Sequence, residues 1–303
     1  MTDPLPRGVF SLLATPFEED GRLDLFAFDR ILEHQGRGPC GVGIGFPIGE
    51  GQSLSLKEYR LLLEEAVLFY GGRKRVAAAC FAESTGHALL LGRTAALAGA
   101  DLLVVPPPYT TPEASGDYFC HLKALSRVGL PFVAYLPAEK KQERGFCDLL
   151  LCEETVRLPH FAGFVLRGLD APCGGLWQSA HPETPLCMEN DCLAAPALLS
   201  GFTALFSPLC CLLPDQTALL ARECAKASPM ARELQAALFP LCALLSSGEG
   251  SVLLKWGLHK KGLCAPAVRL PRTMPQERLL DQFERVLEEA ERRGRRAVKG
   301  KTP

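Results

Sequence analysis

Short continuous apolar runs recur along the chain, and between them apolar residues return at helical spacing. The runs cover 9–14, 41–46, 76–80, 102–105, 132–135 and 161–166, then more weakly 185–188 and 203–206. Their starts are separated by roughly 20 to 35 residues, the length of one strand, loop and helix. Strands buried on both faces read as unbroken apolar stretches, and these do. The segments between them carry helical signals of their own. Residues 24–35 place Leu25, Phe28, Ile31 and Leu32 on one face, Ser55 with Glu58 forms a capping box ahead of 56–70, and Ser84 and Thr85 open a helix that runs to Leu97. Eight such units predict a closed parallel (β/α)8 barrel. A doubly wound open sheet is the structural rival, because periodicity does not show that the sheet closes.

After the eighth strand the pattern is helical only, over 215–226, 230–246, 252–259 and 276–292. The expected organisation is a barrel over 1–225, a C-terminal helical extension packed on it over 226–293, and a basic flexible tail over 294–303.

Composition narrows the class. The chain has 303 residues, 48% hydrophobic and 22% charged, with net charge −1, which suits a globular protein with a large core and gives no electrostatic reason to expect nucleic acid. The thirteen cysteines are scattered without a C-x-x-C pair, and many lie in apolar runs, so they read as reduced core thiols of a cytoplasmic protein. No metal and no cofactor is expected from them or from the six histidines. No apolar stretch approaches the ~20 residues a bilayer span needs, so no membrane partner is expected.

In a parallel barrel the chemistry sits at the C-terminal strand ends and the loops after them. The second strand runs into Gly45-Phe46-Pro47-Ile48-Gly49-Glu50-Gly51, which reads either as a tight turn or as a ligand loop. It does not satisfy the dinucleotide pattern G-x-G-x-x-G. The fourth strand ends in three prolines before Tyr109, and the fifth in Tyr135-Leu136-Pro137. Each tyrosine is a proton-passing or a packing residue.

Taken in order, these segments resemble the dihydrodipicolinate synthase and N-acetylneuraminate lyase family of class I aldolases. The resemblance runs from Ala14-Thr15-Pro16-Phe17, Asp20-Gly21 and Asp24 through Gly49-Glu50, Leu54-Ser55, Glu58, Ser84-Thr85 and Gly99-Ala100-Asp101. It continues with residues 107–112, Tyr135, Pro137 and Gly163, and closes with Lys255, Gly262 and Val268-Arg269-Leu270-Pro271. It implies a TIM barrel with a C-terminal helical segment, assembled as a homo-oligomer, dimer or tetramer, and acting on pyruvate or a related 2-oxo acid. It also implies Tyr135 and Tyr109 as catalytic positions, Tyr109 being like the tyrosine that joins a neighbouring subunit's relay.

The same resemblance exposes two departures. The family's imine-forming lysine lies in a strand-six pattern whose counterpart here is Gly163-Phe164-Val165-Leu166-Arg167, so Val165 stands at the lysine position. Valine has no amine, and a guanidinium stays protonated and does not replace one. The family's paired threonines correspond to Pro47 and Ile48, so both hydroxyls are gone. Arg167, two residues beyond Val165, reads either as a carboxylate anchor at the mouth or as an arginine leaving the strand for solvent. Lys140 and Lys141 are candidates for a relocated amine but read as a solvated charge run.

Three readings follow. One is a family lyase with a small oxo-acid pocket lined by Phe46, Pro47, Ile48, Gly49, Tyr109, Tyr135, Val165 and Arg167, its usual imine chemistry lost. Another is a non-catalytic homologue that binds a metabolite or a related subunit. The third is an enzyme of imine-independent lyase or hydratase chemistry using Tyr135 or Glu50 as base.

Overall fold

The computed structural model describes residues 6–108, 115–136, 153–168, 179 and 181–299. Eight strands, β1 (Gly8–Leu12), β2 (Gly41–Ile44), β3 (Arg75–Ala79), β4 (Leu102–Val105), β5 (Phe132–Leu136), β6 (Phe161–Leu166), β7 (Leu186–Met188) and β8 (Ala204–Ser207), pair in parallel in chain order. The sheet closes because β1 pairs with β8, Val9 beside Leu205 and Phe10 beside Phe206. Closure excludes the doubly wound rival.

Alternation along each strand separates two cores. Val9, Val42, Ile44, Val76, Leu103, Phe164 and Leu205 face outward into the layer beneath the helices. Phe10, Leu12, Ala77, Ala79, Leu102, Val104, Val133, Tyr135, Val165, Cys187, Ala204 and Phe206 fill the cylinder. β2 offers only glycines inward, and that absence makes room for rings from elsewhere. A Cβ on Gly43 would stand 2.6 Å from Leu12 and 2.7 Å from the Phe46 ring, and one on Gly41 would stand 2.5 Å from the Phe10 ring. On β6 the alternation slips at Gly163, where the register against β5 shifts. Gly163 sits at φ 134° with Pro185 O 2.5 Å from where a Cβ would be, so only glycine fits the irregularity that sets which β6 residues point inward.

The helices begin where local chemistry places their caps. Asp24 accepts from Ala27 N at 2.8 Å to start α1 (Leu25–His34), and Ser55 and Glu58 form a reciprocal capping box for α2 (Leu56–Tyr70). α3 (Thr85–Leu97) follows Ser84, and α4 (Ser115–Leu125) is tied to two strand ends by Tyr118, whose hydroxyl donates to Val105 O and Tyr135 O. Past the seventh strand come α5 (Ala194–Leu199), α6 (Pro208–Leu212), α7 (Pro214–Ala225), α8 (Pro229–Leu245), α9 (Gly250–Lys260) and α10 (Glu277–Lys299). α10 continues through Lys299, so the basic stretch expected as a flexible tail begins as helix. Among the described residues no single helix is long and apolar enough to cross a membrane.

The C-terminal helices are fastened to the barrel by two ion pairs that share an aromatic platform. Lys255 of α9 is 1% exposed; its ammonium pairs with Glu50, donates to Ala267 O at 2.8 Å and lies 4.3 Å over the Phe17 ring. Burial pulls this lysine below its ordinary range and the Glu50 carboxylate offsets part of that. Arg269 lies over the same ring, pairs bidentately with Glu58, and gives its backbone N–H to Glu50.

Replacing Lys255 by Met leaves a carboxylate buried without its counter-charge. The expected loss of stability in urea unfolding is about 3–5 kcal/mol, and a Glu50→Gln, Lys255→Met double variant is expected to recover much of it. Glu58 is held down to about 2, first by the hydrogen bonds from Arg269. Its contribution is therefore present above about pH 4.5, the ordinary carboxylate value, and is lost as the pH falls toward 2. Arg269→Met is expected to flatten that segment of the acid-unfolding curve, which circular dichroism across the range would read.

Candidate active site

The mouth of the cylinder is built on a ladder of rings. Phe10 stacks on Phe206 at 4.9 Å, Phe206 meets Phe46 at 6.0 Å, Phe46 meets Phe81 at 6.0 Å, and Phe81 stands edge-on to Tyr135 at 5.3 Å. Phe46 is 1% exposed and forms part of the floor. Val165 is fully buried beside Tyr135, paired in register with it on β5 and with Cys187 on β7. Burial pushes the Cys187 thiol far above its ordinary value, so it stays protonated.

The loop after β2 is shaped by packing. Pro47–Gly49 forms a 3-10 turn. Ile48 is half-buried and touches both the inner and the outer core, with its Cδ1 close to Gly250 of α9. Gly49 has its N–H committed to Phe46 O at 3.0 Å, and a Cβ there would meet Leu13 O at 2.1 Å. Glu50, offered by the sequence as a base, turns away from the mouth. Its residue is 3% exposed, and its oxygens are engaged by Lys255 and Arg269. This corrects the Glu50 alternative, because a carboxylate locked to a buried ammonium is not available to a ligand.

The mouth gains a residue that sequence reasoning missed. Glu189 follows β7, its N–H donating to Leu166 O at 2.8 Å and extending the ladder by one step. Cys187 points inward, Met188 outward, and Glu189 inward again, onto the rim. The Tyr135 hydroxyl donates to Glu189 Oε2 at 2.7 Å, and Arg167 Nε stands 3.6 Å from the same oxygen. Arg167 is 44% exposed, and its carbonyl accepts from Asn190 at 3.1 Å. The side chain therefore pairs with the protein's own carboxylate at the rim, between the two orientations open from sequence. Burial raises Glu189 to about 7, against the lowering effects of Arg167 and the Tyr135 hydrogen bond. Asp191, two residues on, faces elsewhere: it accepts from Ser207 Oγ at 2.5 Å and Leu209 N at 2.8 Å at the start of α6, and burial raises it to about 6.

Tyr109, Pro137, Lys140 and Lys141 lie outside the described residues. Among the described residues Lys255 is the buried lysine, and no group of three or more His, Cys, Asp and Glu side chains is arranged to hold a metal. A carboxyl with a near-neutral pKa, a phenol on one of its oxygens and a cation beside them can exchange a proton with a small polar ligand. An acidic residue one step beyond an apolar strand run was the available signal for Glu189, since that is where barrels carry their chemistry.

The chain matches the dihydrodipicolinate synthetase family model over residues 5–290. The 4-hydroxy-tetrahydrodipicolinate synthase of Thiobacillus denitrificans is 32% identical over 280 residues, covering 88% of this chain and 91% of that protein. Among solved structures, a chloride-inhibited dihydrodipicolinate synthase from Acinetobacter baumannii in complex with pyruvate superposes with TM-score 0.85 at 23% identity, covering 95% of this chain and 99% of its own. N-acetylneuraminate lyase from Fusobacterium nucleatum gives 0.83 at 18%, covering 93% and 98%. A closed eight-stranded parallel barrel with C-terminal helices, matched along nearly its whole length, belongs to the dihydrodipicolinate synthetase family of lyases and aldolases.

Proposed function

We propose that this chain binds a small 2-oxo acid at the barrel mouth and does not form an imine with it. The observation that carries the reading is the position of Val165, fully buried and in register with Tyr135, where the family resemblance puts the imine-forming lysine. An imine requires a neutral primary amine within reach of the ligand's carbonyl. The described buried lysine, Lys255, is held by Glu50 and Ala267 O behind the β2 loop. A 2-oxo acid suits the mouth because the apolar floor of Phe46, Phe81 and Val165 takes a short carbon chain, while Tyr135, Arg167 and Glu189 supply the polar contacts. The pyruvate in the Acinetobacter relative supports the same ligand class.

Between a purely binding homologue and an enzyme of imine-independent chemistry, the Tyr135–Glu189 hydrogen bond favours the enzyme, since a binding site alone does not call for a carboxyl that ionises near neutrality. The synthase activity in the names of the relatives then differs from the chemistry of this chain at one step, the covalent capture of the oxo acid.

Borohydride reduction in the presence of pyruvate is expected to leave the intact mass unchanged; a pyruvate-derived adduct on any lysine would overturn the reading. Pyruvate is expected to raise the melting temperature without reductant. Val165→Lys alone is expected to give no measurable synthase turnover, because Pro47 and Ile48 still lack the hydroxyls of the family relay. Substantial recovery in a coupled assay would show that the lysine was the sole lesion.

A further inference from the structure

We propose that Glu189 is the proton-transfer group of this mouth, a base that enolises a bound 2-oxo acid without covalent attachment. The inference rests on the imine-free reading above and adds to it a reacting residue.

Three observations carry it. Glu189 is placed on the rim by the β7 ladder, inward-facing and one layer beyond Val165 and Cys187, with 12% of its side chain exposed. Among the described residues its side-chain contacts fall on one oxygen, Oε2, from the Tyr135 hydroxyl and the Arg167 guanidinium. Oε1 has no hydrogen-bond partner among the described residues, so the carboxylate is oriented by one oxygen and presents the other. The groups facing it are fixed by the fold: Tyr135 from β5, Arg167 from the end of β6, and Asp191 from its own segment, with the uncharged rings of Phe81 and Phe46 below.

The step balances without an added reagent. Glu189 Oε1 takes the proton from the carbon next to the ketone. The C–H pair becomes the carbon–carbon π bond, and the carbonyl π pair moves to oxygen, where Arg167 offsets the new enolate charge. In the reverse direction the carbon recovers a proton from the Glu189 carboxylic acid, which has meanwhile exchanged with solvent. Arg167 stays beside the negative charge as it passes from carboxylate to enolate, so the cation need not move during the transfer.

The test is methyl-proton exchange of pyruvate in D2O, followed by proton NMR with the full chain, beside the borohydride and thermal-shift measurements on the same samples. The expected result is loss of the methyl signal in proportion to protein, with no adduct, at a rate that rises through a pH of about 7 as Glu189 becomes the carboxylate. Glu189→Gln, which keeps the acceptor for Tyr135, is expected to lower the rate about a hundredfold. Arg167→Met alters a half-exposed residue, so the fold is expected to survive. It removes the strongest influence holding the Glu189 pKa down, and so moves the midpoint of the pH profile upward. Pyruvate that raises the melting temperature without exchanging, exchange undiminished in Glu189→Gln, or a midpoint unmoved in Arg167→Met would each overturn the role of Glu189 while leaving the imine-free pocket standing. A borohydride adduct, or neither thermal shift nor exchange, would overturn the pocket reading and this inference with it.

Discussion

The constraint on which this molecule depends is that the inside of the cylinder must be filled by side chains in layers. Strands contribute alternate residues, with one slip at Gly163 of β6, and β2 contributes none beyond hydrogen, so Phe10, Leu12 and Phe46 close over Gly41 and Gly43. With those side chains in place the described lining of the lower cylinder is apolar. Polar chemistry is confined to the rim, and any ionisable side chain there has an apolar floor on one side. The same filling that stabilises the barrel raises Glu189.

That constraint also accounts for an aliphatic residue at 165, fully buried in the inner core. A lysine in this layer would place its ammonium between Tyr135, Cys187 and the aromatic ladder, and would need the rim to carry compensating polar groups. The valine matches its layer. The polar groups at the mouth, Tyr135, Arg167 and Glu189, are grouped around one another, and the layer beneath them, with Val165, Phe46 and Phe206, is apolar.

Much of the fold was legible because its signals are local. Apolar runs marked the eight strands to within a residue or two, the Ser55 and Glu58 cap opened α2 where expected, and the change to a purely helical pattern marked the C-terminal extension. Closure was not legible, since pairing of Val9 with Leu205 leaves no trace in either segment alone. The site was read in part for the same reason. Tyr135, Val165 and Phe46 could be placed from strand ends, whereas Glu189 acquires its meaning from Tyr135, 54 positions earlier, and Glu50 loses its candidacy to Lys255, 205 positions later. Both outcomes depend on register and on which helix packs behind which loop, quantities fixed only when the barrel closes.

Glu50, buried behind the β2 loop, and Glu189, at the rim with 12% of its side chain exposed, show how the fold divides roles between chemically identical groups. Glu50 meets an ammonium with almost no solvent, takes the backbone N–H of Arg269 on its second oxygen, and so has no oxygen left to offer; its work is to hold α9 against the barrel. Glu189 meets a phenol and a guanidinium at longer range and on a single oxygen, so neither contact neutralises it fully and burial still dominates its ionisation. An ion pair engaged on both oxygens is a fastening, whereas a carboxyl at an apolar rim whose contacts among the described residues reach one oxygen retains a choice of protonation state near neutrality. The helical extension thereby bears on chemistry it never touches: with one oxygen on Lys255 and the other on the Arg269 backbone, Glu50 serves the fastening of α9, and the carboxyl beside Tyr135 is that of Glu189.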